Sequence, residues 1–473
     1  MNRTVAKNTL WLFVGQTVGR TLRAGFLIFS ARLLGASSWG AFAYALSLAS
    51  FFSMFTDFGI NTLITREVAK KPEVKLKYLS TSLFIKTSLL LVLIPFAFVF
   101  REHLAKIPEA IVLMPLMALM VAFDSLRDLA ISIVRAMEKM EIEAWINILT
   151  NLAILVFGAF LLVIHPTSYN AMFGYVLGTA FGLLAAIFVL RKHLQGLFRH
   201  FDPRMAWPII KIAWPIGVLG LLGPIMINTD IIIVGWLRSA EEVGFYSAAQ
   251  RVIQFLYVLP VLLGAAFLPS ISKLSESKEE FKKFLEQAVK AVFFLALPLA
   301  AGGAILAEPI ISSLYGTAFL PAAASFRILC LTFITLFPSA VIINAAFALN
   351  RQRSFIFYTA AAILANIVLD LLFIPLWGIA GSAFATLLVQ IFMFFYILAV
   401  MRRINHFSFF ADIKNIILAS FFMAGYAFLG QRLGLNFWFI LVSSAGLYLL
   451  ILSLLKEPLL KTLRSYIAKI PAA

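Results

Sequence analysis

Two arginines and a glutamine recur along one side of the first apolar segment of the chain. In the stretch GQTVGRTLRAG, Gln16, Arg20 and Arg23 are spaced four and then three residues apart, which places all three on one face of an α-helix. A guanidinium group stays positively charged at physiological pH and offers a fork of N–H donors that fits a phosphate group. The residue types and their spacing therefore predict a cationic face that binds a phosphate-bearing ligand.

A second polar patch lies in a later apolar segment. Gln250, Arg251 and Gln254 are close together in the sequence and again combine a permanent cation with neutral donors and acceptors. We expect this patch to belong to the other half of the molecule and to face the first one. Together the two patches predict a cavity that accepts a pyrophosphate group.

Acidic residues inside the same apolar segments leave a second interpretation open. Asp124 and Asp128 are four residues apart and flank Arg127, and Asp57 lies in an earlier segment. Charges inside a membrane are costly and are usually paired. The two arginines of the first segment, together with Lys86 and Arg127, could therefore serve only to pair with these acids. Two neighbouring carboxylates also favour protonation of one of them, which leaves coupling to H⁺ or Na⁺ as a further interpretation.

Three other charges stand apart within apolar segments. Asp57, in the sequence DFG, and Asp230, in the sequence NTD, are each expected either to hold a gate or helix contact or to take part directly in ion coupling. Lys86 lies nine residues beyond Lys77, and we expect its long side chain to reach back towards the membrane surface.

The composition indicates which elements must position these residues. Hydrophobic residues make up 62% of the chain and charged residues 13%, whereas a soluble domain averages roughly 45–50% apolar and about 25% charged residues. Apolar runs long enough to cross a hydrocarbon layer of about 30 Å recur along the whole chain. We predict an all-α integral membrane protein. Its helices, about fourteen in number by this length criterion, are expected at residues 8–33, 39–64, 78–100, 108–135, 143–164, 168–190, 206–235, 243–271, 284–306, 320–348, 354–375, 378–400, 411–429 and 435–455.

The distribution of basic residues predicts the orientation of the chain. Lys and Arg are retained in short cytoplasmic loops, and most of the 39 basic residues fall on one side of the predicted membrane, in segments such as 66–77, 191–211 and 273–290. Both termini are therefore expected in the cytoplasm, for a multi-pass protein of the cell membrane. Anionic lipids facing these loops account for the net charge of +17, so we expect membrane lipids and no nucleic acid as partners.

The chain has few residues suited to catalysis or metal binding. A single cysteine, Cys330, lies in an apolar run, and the five histidines are far apart in loops or at helix ends. We therefore expect no catalytic residue, no metal and no cofactor, and the sequence has no ATP-binding P-loop motif. The protein is predicted not to be an enzyme, and to be a monomer because each half can bury its polar face against the other.

Short similarities between the two halves predict an internal repeat. Gly40 and Gly244 open two helices at nearly the same distance after a preceding helix, and Asn151 aligns with Asn366 in similar apolar surroundings. Repeats of this kind are common in transporters. We predict two pseudo-symmetric six-helix lobes followed by two additional helices, with boundaries at 1–200, 201–405 and 406–473.

The seventh predicted helix is rich in residues that bend helices. It contains Pro215, Gly223 and Pro224. Proline removes a backbone hydrogen bond, and glycine eases bending. We predict that this helix is a hinge that bends between inward-open and outward-open states.

Four stretches carry a resemblance to a known family. They are TDFGINTLITREVAK (56–70), INTDIIIVGWLRSAEEVGFYSAAQR (227–251), LYGTAFLPAAASFRILCLTFI (314–334) and ALNRQRSFIFYTAAAILANIVLDLLFIPLWGIAGSAFAT (348–386). These stretches resemble the polysaccharide-transporter branch of the multidrug/oligosaccharidyl-lipid/polysaccharide exporter superfamily, to which O-antigen-type oligosaccharide flippases belong. The resemblance covers the whole chain.

The resemblance implies a fold and a transported substrate. The fold it implies is a pair of six-helix lobes around a central cavity that opens alternately to each side of the membrane. The cargo it implies is an oligosaccharide on a polyprenyl phosphate or pyrophosphate. A multidrug or cation antiporter of the same superfamily is the alternative, although such an exporter would favour an acid in the first helix, where this chain has Arg20 and Arg23.

Overall fold

The computed structural model describes residues 3–274, 277–349, 353–405, 407–408 and 413–460. The regular elements in these ranges are α-helices and short 3₁₀ helices, as the apolar runs predict. Eleven of the described helices are long and apolar enough to cross a membrane. The chain is therefore an all-α, multi-pass membrane protein.

The described α-helices follow one another with short connections. In chain order they are α1 (Arg3–Asp57), α2 (Ile60–Lys70), α3 (Lys75–Val99), α4 (Arg101–Leu104), α5 (Pro108–Ala136), α6 (Met140–Ile164), α7 (Ser168–Leu190), α8 (Ala206–Leu237), α9 (Ala240–Leu256), α10 (Val258–Leu274), α11 (Lys278–Ile305), α12 (Ala307–Tyr315), α13 (Ala322–Leu331), α14 (Phe333–Ala348), α15 (Arg353–Ile404), α16 (Lys414–Arg432) and α17 (Phe437–Leu454).

Two of these helices are kinked and each joins two predicted spans. Gly35 interrupts α1 with φ 71° and ψ 172°, and Gly378 interrupts α15 with φ 60° and ψ −144°. Glycine suits both kinks because other residues are strained at positive φ. A further break separates α1 from α2 at Phe58 and Gly59, where φ is 41° and 82°, inside the predicted span 39–64.

The predicted number of about fourteen spans, which rests on helix length and apolarity, stays a prediction. The helix α16 overlaps the predicted span 411–429 but is not among the eleven helices that are apolar enough to cross a membrane. Parts of the predicted segment 406–473 lie outside the described residues.

The chain forms two compact units, which comprise residues 1–247 and residues 248–473. The first unit contains α1 to α8 and the beginning of α9, and the second contains the rest. The lobe boundaries expected from the sequence, 1–200, 201–405 and 406–473, follow the repeat rather than the packing and stay a prediction.

The helix α6 packs against both α1 and α7 in the first unit. A side chain at Gly15 of α1 would place its Cβ 2.6 Å from the Cα of Ala144, and one at Gly174 of α7 would place it 2.4 Å from the Cα of Gly158. Both distances are far below van der Waals contact, so the helices approach this closely only because these residues are glycine. The close approach brings the polar side chains of α6 within reach of α1.

Glycines also mediate the contacts of α8 and α9 within the first unit. A Cβ on Gly217 of α8 would lie 2.4 Å from the carbonyl carbon of Phe58, and one on Gly59 would lie 2.5 Å from the nitrogen of Gly217. Gly40 and Gly244, the two glycines matched in the repeat, contact each other, since a Cβ on Gly40 would lie 2.8 Å from the nitrogen of Gly244.

In the second unit, α16 and α17 pack against each other and α16 packs on α11. A buried ion pair joins Lys290 Nζ to Glu457 Oε1 at 2.6 Å, and Asn415 donates to the other oxygen of Glu457 at 3.0 Å. The hydroxyl of Tyr448 donates to the backbone carbonyl of Phe294 at 2.8 Å. Polar contacts thus attach the last two helices to the rest of the second unit.

Candidate functional site

A polar cavity lies between α1 and α6 in the first unit. Its volume is about 200 Å³. Glycines on α1 make room for it, because a Cβ on Gly19 would lie only 3.0 Å from the amide nitrogen of Asn151. The cavity is lined by Gly15, Gln16, Gly19, Arg20, Arg23, Asn147 and Asn151. The three residues that the spacing assigns to one helix face therefore line one cavity.

Arg23 is held by contacts from two other helices. Its Nε donates to the side-chain oxygen of Asn151 at 2.9 Å, and its guanidinium carbon lies 5.8 Å from the ring centre of Tyr175. Asn151 and Tyr175 are both buried, whereas Arg20 is exposed. The two arginines thus differ: Arg23 is fixed in place, and Arg20 is accessible.

A compact ion-pair cluster on α5 accounts for two of the acids. Arg127 Nη1 lies 2.7 Å from Asp124 Oδ1, and Arg127 Nη2 lies 3.0 Å from Asp128 Oδ1. The Arg127 side chain is 9% exposed and that of Asp128 is 50% exposed. One buried guanidinium therefore pairs with two carboxylates, and Arg127 rather than Arg20 or Arg23 forms the ion pairs with these acids.

Asp57, a third acid that the sequence places inside an apolar segment, pairs with Lys86. Lys86 Nζ lies 3.2 Å from Asp57 Oδ1 and donates to the backbone carbonyl of Ser125 at 3.3 Å. The Lys86 side chain is 0% exposed, whereas Asp57 is 36% exposed. The expectation that Lys86 reaches the membrane surface is wrong, because the ion pair with Asp57 compensates the charge inside the protein.

These pairings leave the arginines of α1 with a different role from Arg127 and Lys86. Asp57, Asp124 and Asp128 are engaged as described, and within the described part of the chain no ion pair joins a carboxylate to Arg20 or Arg23. The cavity wall on α1 is therefore a site of positive charge, as required for binding an anion.

Several polar residues of the first unit were missed by the sequence analysis, two of them in the cavity wall. Asn147 and Asn151 lie four residues apart in an apolar run, a signal that could have shown them on one helix face. Arg135 and Glu143 form a two-pronged ion pair at 2.8 Å and 2.5 Å, with the Glu143 side chain fully buried. No local pattern shows this pair, because its partners lie on α5 and α6 and meet only through folding.

The second polar patch lies in the other unit, on α9. Arg251 Nη1 donates to the side-chain oxygen of Gln254 at 3.2 Å, and Gln250 is buried. This patch therefore contains the three residues predicted for it, and the cavity that the two patches were expected to form together stays a prediction.

The remaining predicted residues lie on α8. Asp230 is buried and accepts a hydrogen bond of 2.7 Å from the hydroxyl of Tyr246 on α9, a helix contact of the kind expected for it. Pro215, Gly223 and Pro224 lie within a continuous helix. The role of these three residues as a hinge stays a prediction.

An apolar cavity of about 490 Å³ lies in the second unit. Several helices, including α16 and α17, form its wall. The buried Cys330 is one of its lining residues. Among its lining residues are Leu256, Phe294, Leu299, Phe326, Met423 and Leu449. Apart from isolated hydroxyls it offers a hydrocarbon surface.

Comparison with protein families identifies the group to which the chain belongs. A family described as "Polysaccharide biosynthesis protein" matches residues 5–275, more than half of the chain. The chain is a member of this family. A second family, described as MatE, matches residues 215–372. The resemblance to the polysaccharide-transporter branch of the exporter superfamily is thereby confirmed.

Curated relatives of this family member match it over most of its length. The putative O-antigen transporter of Shigella flexneri is 22% identical over 398 residues, which cover 80% of this chain and 93% of that protein. The probable low-salt glycan biosynthesis flippase Agl15 of Haloferax volcanii is 23% identical over 391 residues, which cover 81% and 80%.

Solved structures share the fold of this polysaccharide biosynthesis family member. The lipid II flippase MurJ in an inward closed conformation gives a TM-score of 0.76 at 20% identity and covers 95% of this chain and 100% of that one. An inward-facing multidrug resistance transporter of the MATE family gives a TM-score of 0.66 at 15% identity and covers 84% and 98%. The predicted MATE-like membrane fold is confirmed.

Proposed function

We propose that this protein is an alternating-access flippase. Its substrate is an oligosaccharide linked to a polyprenyl phosphate or pyrophosphate, which it moves from the cytoplasmic to the outer leaflet for surface polysaccharide or glycoconjugate synthesis. Family membership supports this proposal, as do relatives named as an O-antigen transporter and as a glycan biosynthesis flippase. The substrate is moved without chemical conversion.

The charge balance around the polar cavity is the observation that carries the proposal. Arg20 and Arg23 line the cavity, while the neighbouring acids pair with Arg127 and Lys86. An anion that enters gains two charge-assisted interactions without first displacing a carboxylate.

The apolar cavity of the second unit suits the other part of such a substrate. A polyprenyl chain is a long hydrocarbon, and its transfer into a pocket lined by leucine and phenylalanine side chains avoids contact with water. We therefore propose that the polar cavity of the first unit binds the anionic head of the substrate. Considered by itself, the apolar cavity of the second unit is proposed to bind hydrocarbon, such as part of a polyprenyl chain.

Alternating access requires a flexible element, and α8 is the proposed hinge. Gly220 and Gly223 have open space around the position that a Cβ would occupy, so these glycines are not needed for packing. Glycine without a packing role, near Pro215 and Pro224, lowers the resistance of a helix to bending.

A coupling ion, H⁺ or Na⁺, is proposed to use a buried carboxylate that does not neutralise Arg127 or Lys86. Asp230 of α8 and Asp370 of α15 are both buried, and a buried acid within a membrane helix commonly marks an ion pathway. Flipping measured with an imposed Na⁺ or H⁺ gradient, in wild type and in Asp230→Asn, tests this coupling. A flipping rate that is unchanged by either gradient would contradict ion coupling.

We further propose that the protein lies in the cell membrane as a monomer, with both termini in the cytoplasm. Basic loops such as 66–77 and 191–211 support this orientation. Labelling of a cysteine added at either terminus, in a Cys330→Ala background, reports the orientation in intact cells. Light scattering of the detergent-solubilised protein reports the oligomeric state.

The alternative function is multidrug or cation antiport, which the match to the MatE family favours. A cationic drug would be repelled by Arg20 and Arg23, whereas a phosphate-bearing lipid is attracted. The two functions therefore require opposite charge at the same cavity wall.

Flipping of a fluorescent polyprenyl-pyrophosphate oligosaccharide in proteoliposomes tests the proposal. Wild type is compared with Arg20→Ala and Arg23→Ala, and Arg101→Ala, which removes an arginine from the short helix α4, serves as the matched control. Transport of a cationic dye is measured in parallel. Flipping by wild type and the control but not by the cavity variants supports the flippase. Movement of the dye without the lipid supports the antiporter instead.

A further inference from the structure

The amide of Asn151 has a fixed orientation. Its Nδ2 donates to the backbone carbonyl of Asn147 at 2.7 Å, and its Oδ1 accepts from Arg23 Nε at 2.9 Å. Reversing the amide would set its nitrogen against the Nε–H donor of Arg23 and its oxygen against the carbonyl of Asn147, so both hydrogen bonds would be lost. Each contact therefore stabilises the orientation needed by the other.

This orientation determines which atoms of Arg23 remain for a ligand. An arginine offers N–H donors at Nε and at two terminal nitrogens. Asn151 takes the Nε donor, and the Tyr175 ring lies 5.8 Å from the guanidinium carbon. Among the described residues, no hydrogen bond involves Nη1 or Nη2 of Arg23. These two nitrogens are the terminal donors of its guanidinium group.

The packing of α1 on α6 keeps Asn151 in place. A Cβ on Gly19 would approach Asn151 Nδ2 to 3.0 Å, so a glycine at this position leaves just enough space for the amide. Asn151 is 7% exposed and lines the same cavity as Arg20 and Arg23. Buried polar groups are normally hydrogen-bonded, as Asn151 is here.

We propose that Asn151 is a positioning residue that directs Nη1 and Nη2 of Arg23 towards the anionic head of the substrate. The inference rests on the proposed function, in which Arg23 binds a phosphate group. Asn151 acts as a neutral acceptor, so it fixes the guanidinium without cancelling its charge. A carboxylate at the same position would fix the arginine equally well but would neutralise it.

The test uses farnesyl diphosphate as a short polyprenyl diphosphate probe, with binding to the full-length protein in detergent measured by calorimetry. Loss of a hydrogen bond to a charged group predicts that Asn151→Ala weakens binding about tenfold. Asn151→Asp is expected to weaken it at least as much because of its negative charge. Asn344→Ala is the matched control, since Asn344 Nδ2 also donates to the carbonyl four residues earlier, in α14, and it should bind like wild type.

A double-mutant cycle separates positioning from a purely structural role. Lysine has no Nε–H fork, so Arg23→Lys should remove the interaction on which Asn151 acts. In the Arg23→Lys background, Asn151→Ala is expected to cause no further loss. An equal tenfold loss in both backgrounds, by the same hydrogen-bond estimate, or no loss in the Arg23 background, would overturn the inference.

Two further measurements keep these outcomes interpretable. Asn151→Leu, which has a similar shape and no hydrogen-bond acceptor, replaces the alanine variant if thermal unfolding shows that the latter does not fold. Binding by Arg20→Ala with Arg23→Ala combined is measured as well. Undiminished binding by that double variant means that the proposed function has failed. Weakened binding by it, together with normal binding by Asn151→Ala, means that only the role of Asn151 has failed.

Discussion

The arginines of the two units are held in different ways. Arg23 is held by Asn151, which lies 128 residues away on another helix, whereas Arg251 is hydrogen-bonded to Gln254, three residues away on its own helix. A contact between helices exists only in the folded unit, and it fixes a side chain relative to its neighbours. The hydrogen bond between Arg251 and Gln254, by contrast, joins two side chains of one helix.

The cavities of the two units also differ, both in size and in the polarity of the side chains that line them. The first unit encloses a small cavity lined by arginine and amide groups, and the second encloses a larger cavity lined by hydrocarbon. The two asparagines matched in the predicted repeat have different surroundings: Asn151 accepts from Arg23, whereas Asn366 is buried four residues before Asp370. If the repeat is real, its two halves now carry cavities of different polarity, which suits the proposed binding of an anionic group in one and of hydrocarbon in the other.

The largest effect is expected from removing the central cation of the first unit. Arg127→Ala leaves Asp124 and Asp128 without their shared partner, and loss of one member of a buried ion pair costs about 3–5 kcal/mol. Arg251→Ala in the second unit should change stability much less. Thermal and denaturant unfolding in detergent measures both. Equal destabilisation by the two variants would contradict the larger contribution to stability expected of the ion-pair cluster around Arg127.

The second prediction concerns the asymmetric burial of the Asp57–Lys86 pair. Asp57→Asn leaves a fully buried ammonium group and should cost about 3 kcal/mol, at the lower end of values for broken buried pairs. Lys86→Met leaves a carboxylate that is 36% exposed and can be hydrated, so the loss of stability should be smaller. Unfolding free energies of the two variants, and of the double variant as reference, decide the order. A reversed order would contradict the burial assigned to Lys86.

The third prediction compares the transport roles of the two units. Arg23→Ala should reduce flipping of the fluorescent lipid by tenfold or more, an estimate of about 1.5–3 kcal/mol for a lost hydrogen bond to a charged group. Arg251→Ala should reduce it less, because the head group is assigned to the first unit. Initial flipping rates in proteoliposomes give the ratio. Equal losses would indicate that both units share the head group evenly.

The smallest effect is expected from stiffening α8. Gly223→Ala introduces a methyl group into open space, and removing glycine from a helix stabilises it by about 0.4–1 kcal/mol. We expect flipping to slow by a few fold while the melting temperature is unchanged or slightly higher. Gly425→Ala in α16 is the matched control, since its Cβ would also meet open space. If both variants flip at the wild-type rate, α8 does not act as a hinge.

The sequence was informative where the pattern is local. Apolar runs predicted the helices, and the spacing of Gln16, Arg20 and Arg23 placed them on one cavity wall, as the structure describes. Their proposed binding of phosphate has not been tested. The sequence also located the kinks closely: Gly35 lies between the predicted spans 8–33 and 39–64, and Gly378 is the first residue of the predicted span 378–400.

The remaining features depend on contacts between helices, for which a single sequence carries no direct signal. The burial of Lys86 requires Asp57 from another helix, and the pairing of Arg135 with Glu143 requires α5 and α6 to meet. The role of Asn151 depends on the space that Gly19 leaves for it. In each case the residue types were visible, and the partner was not.

The contact between Gly40 and Gly244 has a consequence for the origin of the molecule. These glycines are matched in the predicted repeat, and a Cβ on Gly40 would lie 2.8 Å from the nitrogen of its counterpart Gly244. In an assembly of two identical copies, a residue meets its own counterpart only beside the two-fold axis. Suppose that the repeat arose from a pair of identical half-sized subunits. One glycine of that ancestral subunit then formed this contact with the same glycine of its partner. A substitution there would have added a side chain on both sides of the contact.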